Sequence, residues 1–404
     1  VIVCNSKGEC ELHAIDGNRL VDAGSLLRRI LGAPGVRVRQ SVQLLTLLRW
    51  NLEGVSEEVR DADLNPPWAL NTRSGVLDLR TLELLPHGGD GPYFTYEAPV
   101  RPDPGVLARI REGQYEIEGN QVYRLWRDHF DEENWRYFIS SVGTWLYPKR
   151  FRHMAWLVGP PGVGKSSLER ALTRPIEPIV AHVGFNTLMN YTFGLEMLVG
   201  KHIIVQSERG ISVVKNLDFF NRIMGEDDSL DVPRKFRSAV VIPSMRSAMF
   251  AMNDVPLIKE MRGSTLNAFL DRLSIIEMGA PEGFSPRRGV SEEVGAEEAL
   301  YFLLWARQRL EENGEAIEKR SEDELRGMVF EGSWLLAEFW RSCMEEVSGE
   351  RVEGQEAYEA YLRWARGKLV QPVGRSAFYD LMAQRATRMT SHHQVVFQDV
   401  RLRC

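Results

Sequence analysis

The stretch Met154–Leu168, MAWLVGPPGVGKSSL, constrains this chain more than any other. An apolar run from Met154 to Val158 feeds the turn Gly159-Pro160-Pro161-Gly162-Val163-Gly164, and Lys165, Ser166 and Ser167 open a helix-compatible segment. Strand, loop and helix follow in the order of a phosphate-binding loop, and G-x-x-x-x-G-K-[ST] is met without exception. The chemistry dictates the residue types. Glycines let backbone N–H groups turn inward on an anion, and the helix N-terminus adds its positive dipole end. Lys165 reaches the outer phosphates of a nucleoside triphosphate, and the Ser166 hydroxyl ligates Mg²⁺. A plain Gly/Pro turn would not need these flanks on both sides.

At 404 residues the chain is long enough for two to four domains. With 44% hydrophobic and 26% charged residues it has the composition of a soluble globular protein. No apolar run approaches the roughly 20 residues that span a bilayer, and the first residues lack the basic-then-apolar pattern of a signal peptide. The expectation is a cytoplasmic protein without a membrane partner. Cys4, Cys10, Cys343 and Cys404 form no C-x-x-C pair and read as scattered reduced thiols. Val1 in place of Met predicts that a longer protein extends beyond this end. The net charge of −6 is unevenly placed: residues 281–350 are strongly acidic, and residues 351–404 are basic.

Four segments are expected. Residues 1–150 read as a mainly helical domain with a short hairpin. Its strand-like start is followed by helix-period segments such as Leu26–Leu31 and Val42–Leu48, then by Val76–Leu79 and Leu82–Leu85 joined through Arg80-Thr81. Helices are expected over about 106–117 and 121–147. The second carries Trp126, Phe130, Trp135, Phe138 and Trp145, a stripe that suits packing better than base stacking. Residues 151–280 contain the phosphate loop and three further apolar strands. His202-Ile-Ile-Val-Gln-Ser-Glu208 ends in an acid 43 residues beyond Lys165, where a P-loop ATPase places the carboxylate that handles Mg²⁺ or orients water. Ala248–Met252 ends in Asn253, which suits a γ-phosphate contact but is also a common turn residue. Leu273–Met278 follows Asp271-Arg272, where Arg272 either pairs with Asp271 or reaches across a subunit boundary. Residues 281–350 read as an acidic helical connector. Residues 351–404 read as helix, helix and closing strand, which fits a winged-helix-like DNA-binding domain touching phosphates through Arg375, Arg385, Arg388 and the His392-His393 turn. The same pattern fits a small packing domain with a solvated basic face.

The ordered set resembles the superfamily 3 helicases of the poxvirus D5 and phage/plasmid primase-helicase type, over about residues 65–404. Asn71–His87, NTRSGVLDLRTLELLPH, resembles the segment those proteins carry before their ATPase domain. GPPGVGKSS matches Walker A, FGLEMLVGK leading into IIVQSE resembles the approach to Walker B, MFAMNDVP is similar to motif C, and DRLSIIEM resembles the arginine-finger segment. The resemblance implies an α/β fold, a P-loop AAA+-like ATPase core that closes into a homo-oligomeric ring, hexameric, with ATP and Mg²⁺ between subunits. It implies Ser166 and Glu208 at the metal, Glu208 aligning water, Asn253 as sensor, and a neighbour's Arg272 as finger with Arg262 in reserve. It places Arg234, Lys235 and Arg237 on the DNA backbone in the channel. Two departures stand out: Gln206-Ser207 precede a lone Glu208, so one carboxylate carries two roles, and Asp271 stands where a second arginine is common.

These features predict an ATP-dependent DNA helicase, 3′-to-5′, acting on single-stranded or forked DNA in the replication of a virus, phage or plasmid. A primase or polymerase domain upstream or in trans would accompany it. A non-unwinding P-loop ATPase that assembles on DNA as an initiator or loader is the alternative. A small-molecule phosphotransferase lacks an evident lid or acceptor motif.

Overall fold

The computed structural model describes residues 2–4, 10–16, 19–22, 58–60, 65–88, 92–184, 187, 194–207, 213–214, 217–225, 229–234, 237–243, 245–258, 264–330, 334–367, 372, 374–383, 385–391 and 394–403. Before Asn65 the described elements are strands: β1 (Ile2–Cys4), β2 (Cys10–Asp16), β3 (Arg19–Asp22) and β4 (Glu58–Arg60), in the order β3-β2-β1-β4. The helix-period segments Leu26–Leu31 and Val42–Leu48 lie outside the described residues. The expected hairpin is present within an antiparallel sheet of β5 (Ala69–Thr72), β6 (Gly75–Asp78) and β7 (Glu83–Leu85). Asp78 closes its turn by accepting from the Arg80 backbone N–H at 2.8 Å and pairing with the Arg80 guanidinium at 2.6 Å.

Helices α1 (Pro104–Arg111), α2 (Gln121–Trp126) and α3 (Glu132–Gly143) follow. The single helix expected over 121–147 is split. Phe130 is extended, and the Asp131 carboxylate accepts from the Asn134 N–H at 2.7 Å, capping a new helix. Gly279 N–H donates to the His129 carbonyl at 2.8 Å, which holds the break in place from 150 residues away.

The central elements are β8 (Met154–Val158), α4 (Lys165–Thr173), β9 (Val180–Ala181), β10 (Ile203–Ser207), β11 (Val213–Val214), α5 (Leu217–Ile223), β12 (Ser229–Arg234), β13 (Arg237–Pro243), β14 (Ser247–Met252), β15 (Leu257–Ile258), α6 (Ser264–Arg272) and β16 (Leu273–Glu277). Five of these strands form one parallel sheet in the order β16-β8-β14-β10-β9. Apolar side chains alternate between its two faces. Ala155, Leu157, Val205, Met249 and Ile276 join a core shared with α3, α4 and the later helix α7 (Ala296–Glu312). Met154, Trp156, Ile204, Phe250 and Ile275 join a second core with α5, α6 and α8 (Glu322–Phe330). A sheet covered on both faces explains why its strands read as unbroken apolar runs.

The last elements, α9 (Trp334–Cys343), β17 (Met344–Glu353), α10 (Gly354–Gly367), α11 (Arg375–Met382), β18 (Thr387–Ser391) and β19 (Gln394–Leu402), carry a third core around Phe339, Tyr361 and Phe378. Their sheet is antiparallel, β17-β19-β18. Met344, in the segment expected as a helical connector, begins a ten-residue strand instead, because β19 supplies a ladder from more than forty residues away. Cys343 is also not a reduced thiol: it is disulfide-bonded, in a buried position where its carbonyl accepts from the Arg403 N–H. Among the described residues no helix is long and apolar enough to cross a membrane.

Two fully buried histidines flank the sheet. Burial pushes both His153 and His202 down to a pKa of about 3, and the His153 Nε2 lies 2.8 Å from the Ser141 Oγ. Below the ordinary histidine pKa of 6.5 the unfolded chain takes up protons that the folded chain refuses. Their contribution to stability is therefore complete above that pH and declines as pH falls toward 3. Calorimetric melting should show a midpoint that drops between pH 7 and 5, with a shallower drop in His153→Gln; an unchanged midpoint over that range would contradict the burial argument.

Candidate nucleotide-binding site

The phosphate loop leaves the C-terminal end of β8, which lies between β14 and β16, and so opens where ligands bind in parallel α/β sheets. Gly159 is fixed by its neighbours: its N–H donates to the Met252 carbonyl, and a Cβ there would stand 2.0 Å from the Met278 carbonyl oxygen. Gly162 and Gly164 have φ of 83° and 103°, the left-handed region that glycine adopts without strain. Gly164 is the N-cap of α4, so Lys165, Ser166 and Ser167 form its first turn.

Lys165 is buried, and its Nζ donates to the carbonyls of Gly159 (2.6 Å) and Pro160 (2.9 Å) and to the Asn253 Oδ1 (3.2 Å). The last contact joins two sequence-predicted residues 88 positions apart. Asn253 is exposed immediately beyond β14, and the Ala251 N–H before it donates to the Glu169 carboxylate of α4 at 3.1 Å. Burial lowers the Lys165 amine to about 8, against the attraction of the Glu169 and Asp254 carboxylates. Burial likewise raises the Asp254 carboxyl, with the Lys165 charge opposing.

Pro161 to Ser167 and Asn253 line a cavity of about 1020 Å³. Its remaining wall comes from two segments that carried no chemical signal in the sequence. One is the end of α2 and the break after it, with Arg124, Trp126 and His129; the other is the loop after β16, with Phe284, Pro286 and Arg287. Trp126 belonged to an aromatic stripe assigned to packing, and it does pack, at 2% exposure, but its indole Nε1 would sit 3.3 Å from a Cβ at Gly164. Nothing in the pattern of residues 281–290 marks them as a wall, since their position depends on where β16 ends.

The other predicted residues fall into three places. Glu208 and Arg262 lie outside the described residues; β10, which leads to Glu208, ends at Ser207 in register with Ala251. Arg272 ends α6 and donates to the Ala268 carbonyl. It precedes Leu273, which pairs with Met154 at the start of β8, so it occupies the edge of the sheet opposite the phosphate loop. The five residues of β8 span four steps of about 3.3 Å, which separates the two ends of the strand by about 13 Å. Arg272 is accordingly absent from its own chain's cavity lining. Arg234 and Arg237 pair across the ends of β12 and β13, and Lys235 lies outside the described residues. Arg375, Arg385 and Arg388 stand over the rings of Tyr358, Trp340 and Tyr379 at 5.4, 5.7 and 5.8 Å, while His392 and His393 lie outside the described residues.

Residues 42–142 match the family model described as D5 N terminal like, which bears out the D5-type resemblance over that segment. No curated protein matches the chain. Among solved structures it is similar to the apo structure of the NrS-1 C-terminal region. The A form aligns at 11% identity with a TM-score of 0.46, covering 98% of this chain and 94% of that one. A structure of NrS-1 residues 305–718 aligns at 14% identity with a TM-score of 0.42, covering 99% and 96%.

At pH 8.5 an amine of pKa about 8 is mostly neutral, and a bound triphosphate would restore its charge. Titration calorimetry of a nonhydrolysable triphosphate in buffers of different ionisation enthalpy should show uptake of about 0.7 proton at pH 8.5, falling toward zero at pH 7. Lys165→Met should remove the uptake; a buffer-independent enthalpy at pH 8.5 would show that the amine is already charged.

Proposed function

We propose that this chain is an ATP-dependent DNA helicase of the D5-like superfamily 3 type, acting in DNA replication with a P-loop AAA+-like core. The observation that carries the reading is the Lys165–Asn253 contact beside the loop glycines, because it assembles a γ-phosphate site from two motifs distant in sequence. The residues fit the absent groups. The left-handed glycines and the α4 N-terminus make a cradle for phosphates, and Ser166 opens the helix that lines it. Among the described residues no cluster of three His, Cys, Asp or Glu side chains could hold a metal by itself. Mg²⁺ binds through few protein ligands and the substrate's own phosphates. Ser166 and Glu208 would hold it, and its charge would neutralise the phosphate oxygens. Lys165 would exchange its loop carbonyls for phosphate oxygens, and Asn253 would position the γ-phosphate and the attacking water.

Arg272 is far from its own cavity, so its proposed role is to complete the site of a neighbouring subunit in a homo-oligomeric, hexameric ring. Arg234 ends β12 and Arg237 begins β13; with Lys235 they are the proposed contacts to a DNA backbone followed 3′-to-5′ through the channel. The helix–strand–helix–helix–strand–strand order of residues 334–402 supports a winged-helix-like DNA-binding domain with Arg375, Arg385 and Arg388 as its proposed phosphate contacts. The domain division at 150 and 280, with the last boundary placed before Trp334 because 350 falls inside β17 and α9 shares the third core, a primase or polymerase partner and a cytoplasmic setting complete the proposal.

Lys165→Ala should abolish ATP hydrolysis and strand displacement; full unwinding by that variant excludes the motor. An ATP-dependent assembly on DNA that never displaces a strand would favour a loader. The trans arginine has its own test. Lys165→Ala and Arg272→Ala subunits should each be inactive alone, but co-expressed in equal amounts they leave about a quarter of the interfaces intact and should recover about that fraction of turnover. No recovery in co-purified mixed rings would place both residues in one subunit's site or assign Arg272 a structural role.

A further inference from the structure

We infer that the adenine of the bound nucleotide is recognised by the Trp126–His129 segment and the Phe284 loop, with the His129 Nε2 accepting a hydrogen bond from the 6-amino group. This inference rests on the nucleotide reading of the cavity and adds base selectivity to it. The cavity that the phosphate loop lines is also lined by Trp126, His129, Phe284 and Pro286, together with the charged side chains of Arg124, Asp128 and Arg287. Those walls are mutually fixed. The His129 ring stands edge-on to Phe284, with centroids 4.8 Å apart and planes at 83°, and a Cβ at Gly162 would meet the Pro286 Cγ at 3.8 Å. The loop after β16 therefore leans over the phosphate loop from the side on which His129 stands. Aromatic and proline surfaces at the mouth of a phosphate cradle suit a flat heteroaromatic ring.

The tautomer of His129 gives the slot its chemistry. Its Nδ1 lies 2.8 Å from the Gly279 carbonyl oxygen, which can only accept, so Nδ1 carries the proton. Burial lowers the pKa of the ring, which keeps it neutral at physiological pH. A neutral ring protonated at Nδ1 has an unprotonated Nε2, an acceptor and not a donor. An acceptor pairs with the exocyclic amino group of adenine and opposes the carbonyl oxygen at the same position of guanine or hypoxanthine. The Gly279 N–H also donates to the His129 carbonyl at 2.8 Å, so backbone and side chain are both pinned and the imidazole cannot easily turn to offer its other nitrogen.

ATP and ITP, which differ at position 6 and in the proton at N1, separate the possibilities. Hydrolysis by this chain should show KM for ITP at least about tenfold above KM for ATP, because a polar site discriminates against a group that leaves its acceptor unpaired. In His129→Phe the ratio of the two KM values should fall toward one, and Phe284→Ala should raise both KM values without closing the gap. Thermal melting with each nucleotide gives the same ratios as binding shifts if turnover is low. Equal KM values for ATP and ITP in the unmodified protein, or an unchanged ratio in a folded His129→Phe variant, would overturn the base assignment while leaving the phosphate site standing. A protein that binds neither nucleotide would overturn both readings.

Discussion

Lys165 has its charge buried among two loop carbonyls and Asn253, and the surrounding structure is arranged to make that possible. An ammonium group in such a place loses hydration, which is why its pKa falls. The compensation comes from three directions: carbonyls of the loop, the Asn253 amide at the end of β14, and nearby carboxylates on α4 and beyond β14. Each depends on β8 and β14 being adjacent and parallel. Without that pairing, Gly159 would not meet Met252, and Asn253 would not face the loop.

The same adjacency accounts for the strictness of the loop sequence. Gly159 tolerates no Cβ because the Met278 carbonyl passes beside it, a consequence of β16 lying on the far side of β8. Gly164 must be left-handed to start α4 and also leaves room for Trp126. The helical region before the sheet is thus a wall of the cavity as well as a packing partner. Residues 42–142, matched as D5 N terminal like, supply that wall, so the segment and the phosphate loop form one site.

The reach of sequence reasoning varies with how local the cause is. The loop, the hairpin through Arg80-Thr81 and the apolar strands were legible because their signals lie within a few residues of one another. The strand ending at Asn253 and the glycine-rich loop could be named separately, but their meeting could not be read from spacing. The split at Phe130 was missed because the Asp131 cap competes with an uninterrupted apolar stripe, and the distant Gly279 helps decide the outcome. Met344–Glu353 was misread at its start for a similar reason: its acidic and apolar residues suit either period, and only pairing with β19 selects the strand.

The sequence by itself determined that this chain has a glycine-rich loop of the phosphate-loop pattern, which strands precede and follow it, and which polar residues stand at their ends. Those are properties of short stretches, where glycine conformations, apolar runs and helix starts obey local rules. The tertiary structure alone decided that Asn253 reaches Lys165, that Arg272 stands at the opposite edge of the sheet, and that Trp126, His129 and Phe284 enclose the cavity. Strand order and loop placement set those distances, and they follow from burying both faces of one parallel sheet, a condition that no local pattern specifies.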